Sequence, residues 1–229
     1  MTILLIILFV VGLVLGPQLW IKWVFVRYGN DRPGIPGTGA ELAEHLIKRF
    51  ELDDVIVEKT DPGKDHFDSS APAVRLSPNN YDGKSLTAVA VAAHEVGHAI
   101  QWHKKETVFK LRFKYMPLAR RLQQLGFLML SLAPIAGIVT RNPIIAAIPF
   151  IGGGMVALCG AATYLIILPE EWDASFNKAM PILIEGEYIT PEQEFAARRI
   201  LRAAALTYAA AALASLLQVW RWLPLLLRR

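Results

Sequence analysis

Four stretches of this chain, at 3–21, 118–139, 144–168 and 203–224, are long and apolar enough to cross a bilayer. A span needs roughly 20 mostly apolar residues, because backbone polar groups find no water in hydrocarbon and must bond within a helix. These stretches predict a mostly α membrane protein with four transmembrane helices. The composition agrees: 54% of residues are hydrophobic and 19% charged, too apolar a balance for an ordinary soluble domain. The first span opens "ILLIILFVVGLVLG" and ends near Trp20 and Trp23, aromatics suited to a membrane interface. It lacks a basic leading region and no A-x-A site follows it, so it reads as an uncleaved anchor. "TRNP" at 140–143 has room only for a tight turn, which makes spans two and three a hairpin. The G-x-x-x-G spacing of Gly12 and Gly16 and the "IGGGM" run at 151–155 are candidate packing points. The lone cysteine, Cys159, reads as a small buried hydrophobe and excludes an internal disulfide.

The net charge of +4 is carried by basic residues beside apolar spans, which points to lipid headgroups rather than to a nucleic acid. Lys22, Arg27 and Arg32 follow span one; Lys104, Lys105, Lys110, Arg112, Lys114, Arg120 and Arg121 precede span two; Arg198, Arg199 and Arg202 precede span four. Four spans put all of these on one side, and positive charge near spans stays in the cytoplasm. Arg228 and Arg229 oppose that orientation. The expectation is a multi-pass membrane protein with segment 27–117 in the cytoplasm.

That segment reads as a small α+β unit between spans one and two. "RPGIPGTG" (32–39) is a linker, and the Thr38/Glu41 capping-box spacing opens a short amphipathic helix over 39–50. "DVIVEK" (54–59) and "AVRLS" (73–77) have strand character, joined by a loop "DPGKDHFDSSAP". "PNNYDG" (78–83) is a turn, and one helix follows over 85–104. Segment 169–202 is predicted as membrane-surface helices.

The 85–104 helix carries "TAVAVAAHEVGHAIQWHKKE", in which His94, Glu95 and His98 interrupt an alanine- and valine-rich run. Residues four apart lie about 40° from each other around a helix, one turn along the same face. Two imidazoles so placed can chelate one zinc ion, with the adjacent Glu95 as general base on an attacking water; this is the H-E-x-x-H arrangement. The competing reading is a pair of hydrogen-bonded core histidines. The motif's place on a helix after a strand, among apolar neighbours, favours the metal. His103 lies half a turn away from the pair and is a surface residue on this reading. Zinc needs a further protein ligand, and "ILPEEWDASFNKAM" (167–180) places Glu170, Glu171 and Asp173 together on the histidine side of the membrane. Acidic residues favour helix N-termini in any case, so the residues alone leave the choice open.

"AAHEVGHAIQ" together with "LPEEWDASFNKA", "DHFD" and "VRLS" resembles the bacterial membrane-bound neutral zinc metallopeptidases over nearly the whole chain. More distantly the chain is similar to the heat-shock membrane metalloproteases and the prenyl-protein endopeptidases. Those families place the third zinc ligand at the Glu of an E-x-x-A-D pattern, matched here by Glu171, Ala174 and Ser175. The resemblance therefore implies a zincin-like unit with a gluzincin-like ligand set of His94, His98 and Glu171, Glu170 being the fallback. Ser175 stands where the distant families have Asp, so the support of a ligand histidine falls to Ser175 or to Asp173. The implied activity is zinc-dependent endopeptidase action on protein or peptide substrates, membrane proteins among them. His66 is a candidate for oxyanion stabilisation, and strand 73–77 for holding extended substrate at its edge. Two other classes compete: a non-catalytic membrane scaffold with a structural zinc site, and a transporter. A structural site has no use for Glu95, and spans one to three carry almost none of the ionisable groups transport needs.

Overall fold

In the computed structural model, residues 2–31 and 34–220 are described. The chain divides into two compact units: Met1–Leu19, Leu111–Leu168 and Tyr208–Arg229 form one, and Trp20–Lys110 with Pro169–Thr207 the other. Among the described residues helices dominate, with one three-stranded sheet.

The first unit contains most of α5 (Thr107–Thr140) and all of α6 (Pro143–Leu165). Residues Thr107–Thr140 and Ile144–Glu185 are the two helical stretches, among those described, long and apolar enough to cross a membrane. Leu128, Ile135, Ile138, Ile148, Ile151 and Met155 are all more than half exposed, an apolar surface that a bilayer would cover. The α5–α6 turn at Arg141 and Asn142 is as tight as expected, and Asn142 Oδ1 caps α6 by accepting from Ile144 N at 2.9 Å. "IGGGM" is a packing point: a Cβ on Gly153 would lie 2.8 Å from Leu130 N, and one on Gly126 would lie 2.9 Å from Gly153 O. Gly12 and Gly16 show no such neighbour within 4 Å among the described residues. Cys159 is exposed rather than buried, because it lies on an outward face of α6.

The first and last of the four expected spans are not among these two stretches, and each is less uniform than its hydropathy suggests. A 26-residue helix, α1 (Thr2–Arg27), covers the first and contains Pro17. The stretch 203–224 divides at Leu206 between α9 (Glu194–Ala205) and α10 (Thr207–Trp220). Residues 221–224, Arg32 and the terminal arginines lie outside the described residues.

The second unit is organised around α4 (Leu86–His103), which is buried without interruption from Leu86 to Gln101. A helix apolar on all sides needs neighbours on all sides. Here α2 (Gly39–Arg49), the short α3 (Pro78–Tyr81), α9, a segment over 173–185 that ends in α8 (Met180–Glu185) and the sheet supply them. The α2 cap forms as the sequence implies: Thr38 Oγ1 accepts from Glu41 N at 3.2 Å and Glu41 Oε2 accepts from Thr38 N at 2.7 Å. Ser85 caps α4 by accepting from Ala88 N at 3.0 Å. Thr87 ties the start of α4 to the end of α1, its N–H donating to Tyr28 O at 3.2 Å and its hydroxyl to Phe25 O at 3.1 Å. Leu46, Leu76, Leu86, Ile200 and Leu201 are each at most 1% exposed around this helix. At about 1.5–3 kcal/mol per buried side chain, they help offset the cost of keeping polar groups in a dry core.

The sheet differs from expectation in one strand. Its order is β1 (Ile56–Lys59), β3 (Ala73–Leu76), β2 (His66–Asp68), with β1 parallel and β2 antiparallel to β3. The segment read as a plain loop thus contributes β2, which pairs Phe67 with Val74. Three residues are too few to leave a periodic signal. The central position of β3 also corrects the expectation that strand 73–77 offers an edge, since both of its sides are already paired.

Candidate metal centre

Glu170 and Glu171 arrive on α7 (Leu168–Trp172), a short helix that continues as a π-helical segment over Asp173–Ala179. Single π turns occur often at functional sites. This one runs along α4 at Gly97. A Cβ at Gly97 would meet Ala174 O at 2.8 Å and Lys178 Cβ at 3.3 Å, so only glycine admits the neighbouring backbone. Gly97→Ala would favour the helix by about 1 kcal/mol through propensity alone. The collision with a carbonyl outweighs it, at about 1–3 kcal/mol for an overpacked core. A Gly97→Ala protein is therefore expected to melt at lower temperature in detergent and to bind less metal; an unchanged melting temperature would reject this account.

That close approach brings the two acidic residues to the histidines. Glu171 Oε2 lies 3.3 Å from His94 Nε2 and 3.4 Å from His98 Nε2. One ligand atom from each of these three residues falls within 4.8 Å of the others. Two ligands each about 2.0–2.1 Å from a tetrahedral zinc ion are themselves about 3.3 Å apart. The donor set of two imidazole nitrogens and a carboxylate oxygen suits zinc as well. His94, His98 and Glu171 are 4%, 2% and 1% exposed, so the cluster is dry. The residues fit the ion.

The outer nitrogens of both imidazoles are held by the protein. Ser175 donates its one hydroxyl proton to Leu201 O at 3.1 Å, so its oxygen accepts from His94 Nδ1 at 3.0 Å. His94 consequently carries its proton on Nδ1 and turns the Nε2 lone pair toward Glu171 and His98. On the other side His98 Nδ1 is 2.9 Å from Gln101 Oε1. Gln101 in turn donates to Glu170 O at 3.0 Å and to Asp173 Oδ2 at 2.8 Å. Asp173 therefore reaches the cluster through Gln101, while Ser175 touches a ligand histidine directly. Gln101 escaped the sequence reading, although its place three residues after His98 on one helix face was a usable signal.

Glu95 is buried beside the pair. Burial holds its carboxyl above the usual carboxylate range; the imidazoles of His94 and His98 oppose that shift, and the charges of Glu171 and Asp65 add to it. A carboxylate with raised proton affinity suits a general base working near neutral pH. Glu170 is fully buried too, but its Oε1 lies 3.4 Å from His98 Nδ1, the nitrogen that faces Gln101.

His66 is not among the residues brought together. Phe67 faces α4, its ring 5.8 Å from Trp102, so the strand pleat turns His66 to the opposite face. There His66 Nδ1 donates to Lys64 O at 2.7 Å. The reason is parity: a shift of one residue along a strand exchanges faces. His103 is exposed at the end of α4, as its angular position implied.

Residues 2–227 match the model of a family described as "Putative neutral zinc metallopeptidase". Over 218 residues the chain is 33% identical to the "Putative membrane protease YugP" of Bacillus subtilis, an alignment that covers 94% of this chain and 92% of the relative. No solved structure matches.

Proposed function

Because the chain belongs to the family described as "Putative neutral zinc metallopeptidase", we propose that it is an integral-membrane zinc endopeptidase of the bacterial inner membrane. The observation that carries this reading is the convergence of His94 Nε2, His98 Nε2 and a carboxylate oxygen of Glu171 beside the buried Glu95. His94, His98 and Glu171 hold the zinc ion. Bound zinc supplies Lewis acidity, which makes an attacking water more acidic and polarises the scissile carbonyl. Glu95 takes the proton of that water as its oxygen bonds to the carbonyl carbon, and delivers the proton to the amine nitrogen as the C–N bond breaks. Ser175 keeps the His94 lone pair directed inward throughout. The apolar wall around α4 excludes bulk water and so strengthens each of these interactions.

The chain crosses the membrane four times, with segment 27–117 and the 169–202 helices at the cytoplasmic surface. The apolar α5 and α6, the membrane protease among its relatives and the one-sided basic flanks support this arrangement. Its substrates are proteins or peptides presented at that surface, membrane proteins among them. Detergent-purified protein is expected to carry about one zinc ion per chain. It should cleave casein, lose that activity to a chelator and regain it with added zinc. Cleavage indifferent to the chelator would reject the metal mechanism, and zinc-loaded protein without cleavage would favour a scaffold.

A further inference from the structure

Gln101 is fully buried, and its side-chain amide meets three partners: His98 Nδ1 at 2.9 Å, Glu170 O at 3.0 Å and Asp173 Oδ2 at 2.8 Å. The last two are acceptors only, and the amide nitrogen has two protons to give them. The opposite amide orientation would set its oxygen against a carbonyl and a carboxylate. Gln101 Oε1 must therefore face His98 as an acceptor, which places the imidazole proton on Nδ1 and leaves the Nε2 lone pair beside Glu171. The acceptors on the far side belong to the segment that carries Glu171. Asp173 is in turn paired to Lys178 at 2.9 Å, and Lys178 to Glu106 at 3.2 Å, just ahead of α5.

We infer that Gln101 is a positioning residue for the metal centre: it holds His98 as a ligand, and that hold depends on Asp173 and Glu170 of the acid-bearing segment being docked. His98 and Glu171 are 73 residues apart in the chain. Gln101 makes their readiness a single event, since the amide that orients the imidazole is itself oriented by the neighbour of the acid. This rests on the zinc reading of His94, His98 and Glu171, and it assigns to Gln101 a role beyond filling space in the core.

The test uses full-length protein in detergent, with zinc affinity read by competition against a chelator and ligand geometry by the visible spectrum of the cobalt-substituted form. Gln101→Met keeps the volume and removes the hydrogen bonds, and is expected to weaken zinc binding about 10- to 100-fold and to alter the cobalt spectrum. The cobalt spectrum separates the two roles, since a residue that only fills space can be replaced by Met of similar volume without changing the ligand geometry at His98. Asp173→Ala touches His98 only through Gln101, and should weaken binding by up to about 10-fold. Wild-type affinity and spectrum in Gln101→Met overturns the orienting role. Unchanged affinity in Asp173→Ala overturns the dependence on docking. His94→Ala serves as the reference: if it binds zinc like the wild type, the metal centre itself is wrong and this inference falls with it.

Discussion

A Glu95→Gln protein is expected to keep its zinc and to lose cleavage of casein by about 10²- to 10⁴-fold, the usual contribution of a positioned general base. Zinc retention follows from the ligand set, which Glu95 does not join: the converging atoms belong to His94, His98 and Glu171. Loss of activity follows because an amide of the same shape cannot accept the proton of the attacking water. Folding should not suffer, since a neutral amide costs less to bury than a carboxylate in a site this dry. Two measurements on one preparation decide it, metal content and initial rate of cleavage. A variant that cleaves as fast as the wild type would remove Glu95 from the mechanism, and one that loses zinc as well would make it a ligand instead.

The second large effect separates two adjacent carboxylates. Glu171→Ala should lower zinc affinity by more than the roughly 10- to 100-fold that follows loss of an outer hydrogen-bonding partner, because it removes one of three donors. Glu170→Ala should leave zinc bound. The distances make the difference: the Glu171 carboxylate stands 3.3 and 3.4 Å from the two Nε2 atoms, whereas the Glu170 carboxylate approaches His98 on its Nδ1 side. Equal loss of zinc in both variants, or none in either, would reject the assignment of Glu171.

The helical elements were largely legible in advance, and for a common reason. α4 is legible from the apolar run that follows the turn at 78–83, and the structure adds the Ser85 cap at its start and the positive φ of Lys105 just beyond its end. The pair His94 and His98 follows from one turn of that helix. α5 begins at Thr107, earlier than the apolar stretch it contains, because the change from basic to apolar side chains does not interrupt backbone hydrogen bonding. β2 was invisible, since a three-residue strand is defined by its partner rather than by its own pattern. The side taken by His66 was equally unreadable, as it depends on register.

The acid ligand marks the boundary between the two kinds of information. Nothing periodic links Glu171 to His98, and only resemblance to related motifs distinguished it from Glu170. Local sequence, acting through chain stereochemistry and side-chain burial over a few turns, determined the apolar helices, the imidazole pair and the placement of Glu95 beside it. Tertiary packing decided which carboxylate arrives, that Gly97 admits the π-helical segment, and that Ser175 and Gln101 hold the imidazoles. Those outcomes depend on contacts between segments far apart in the chain, and such contacts exist only once the second unit has closed around α4.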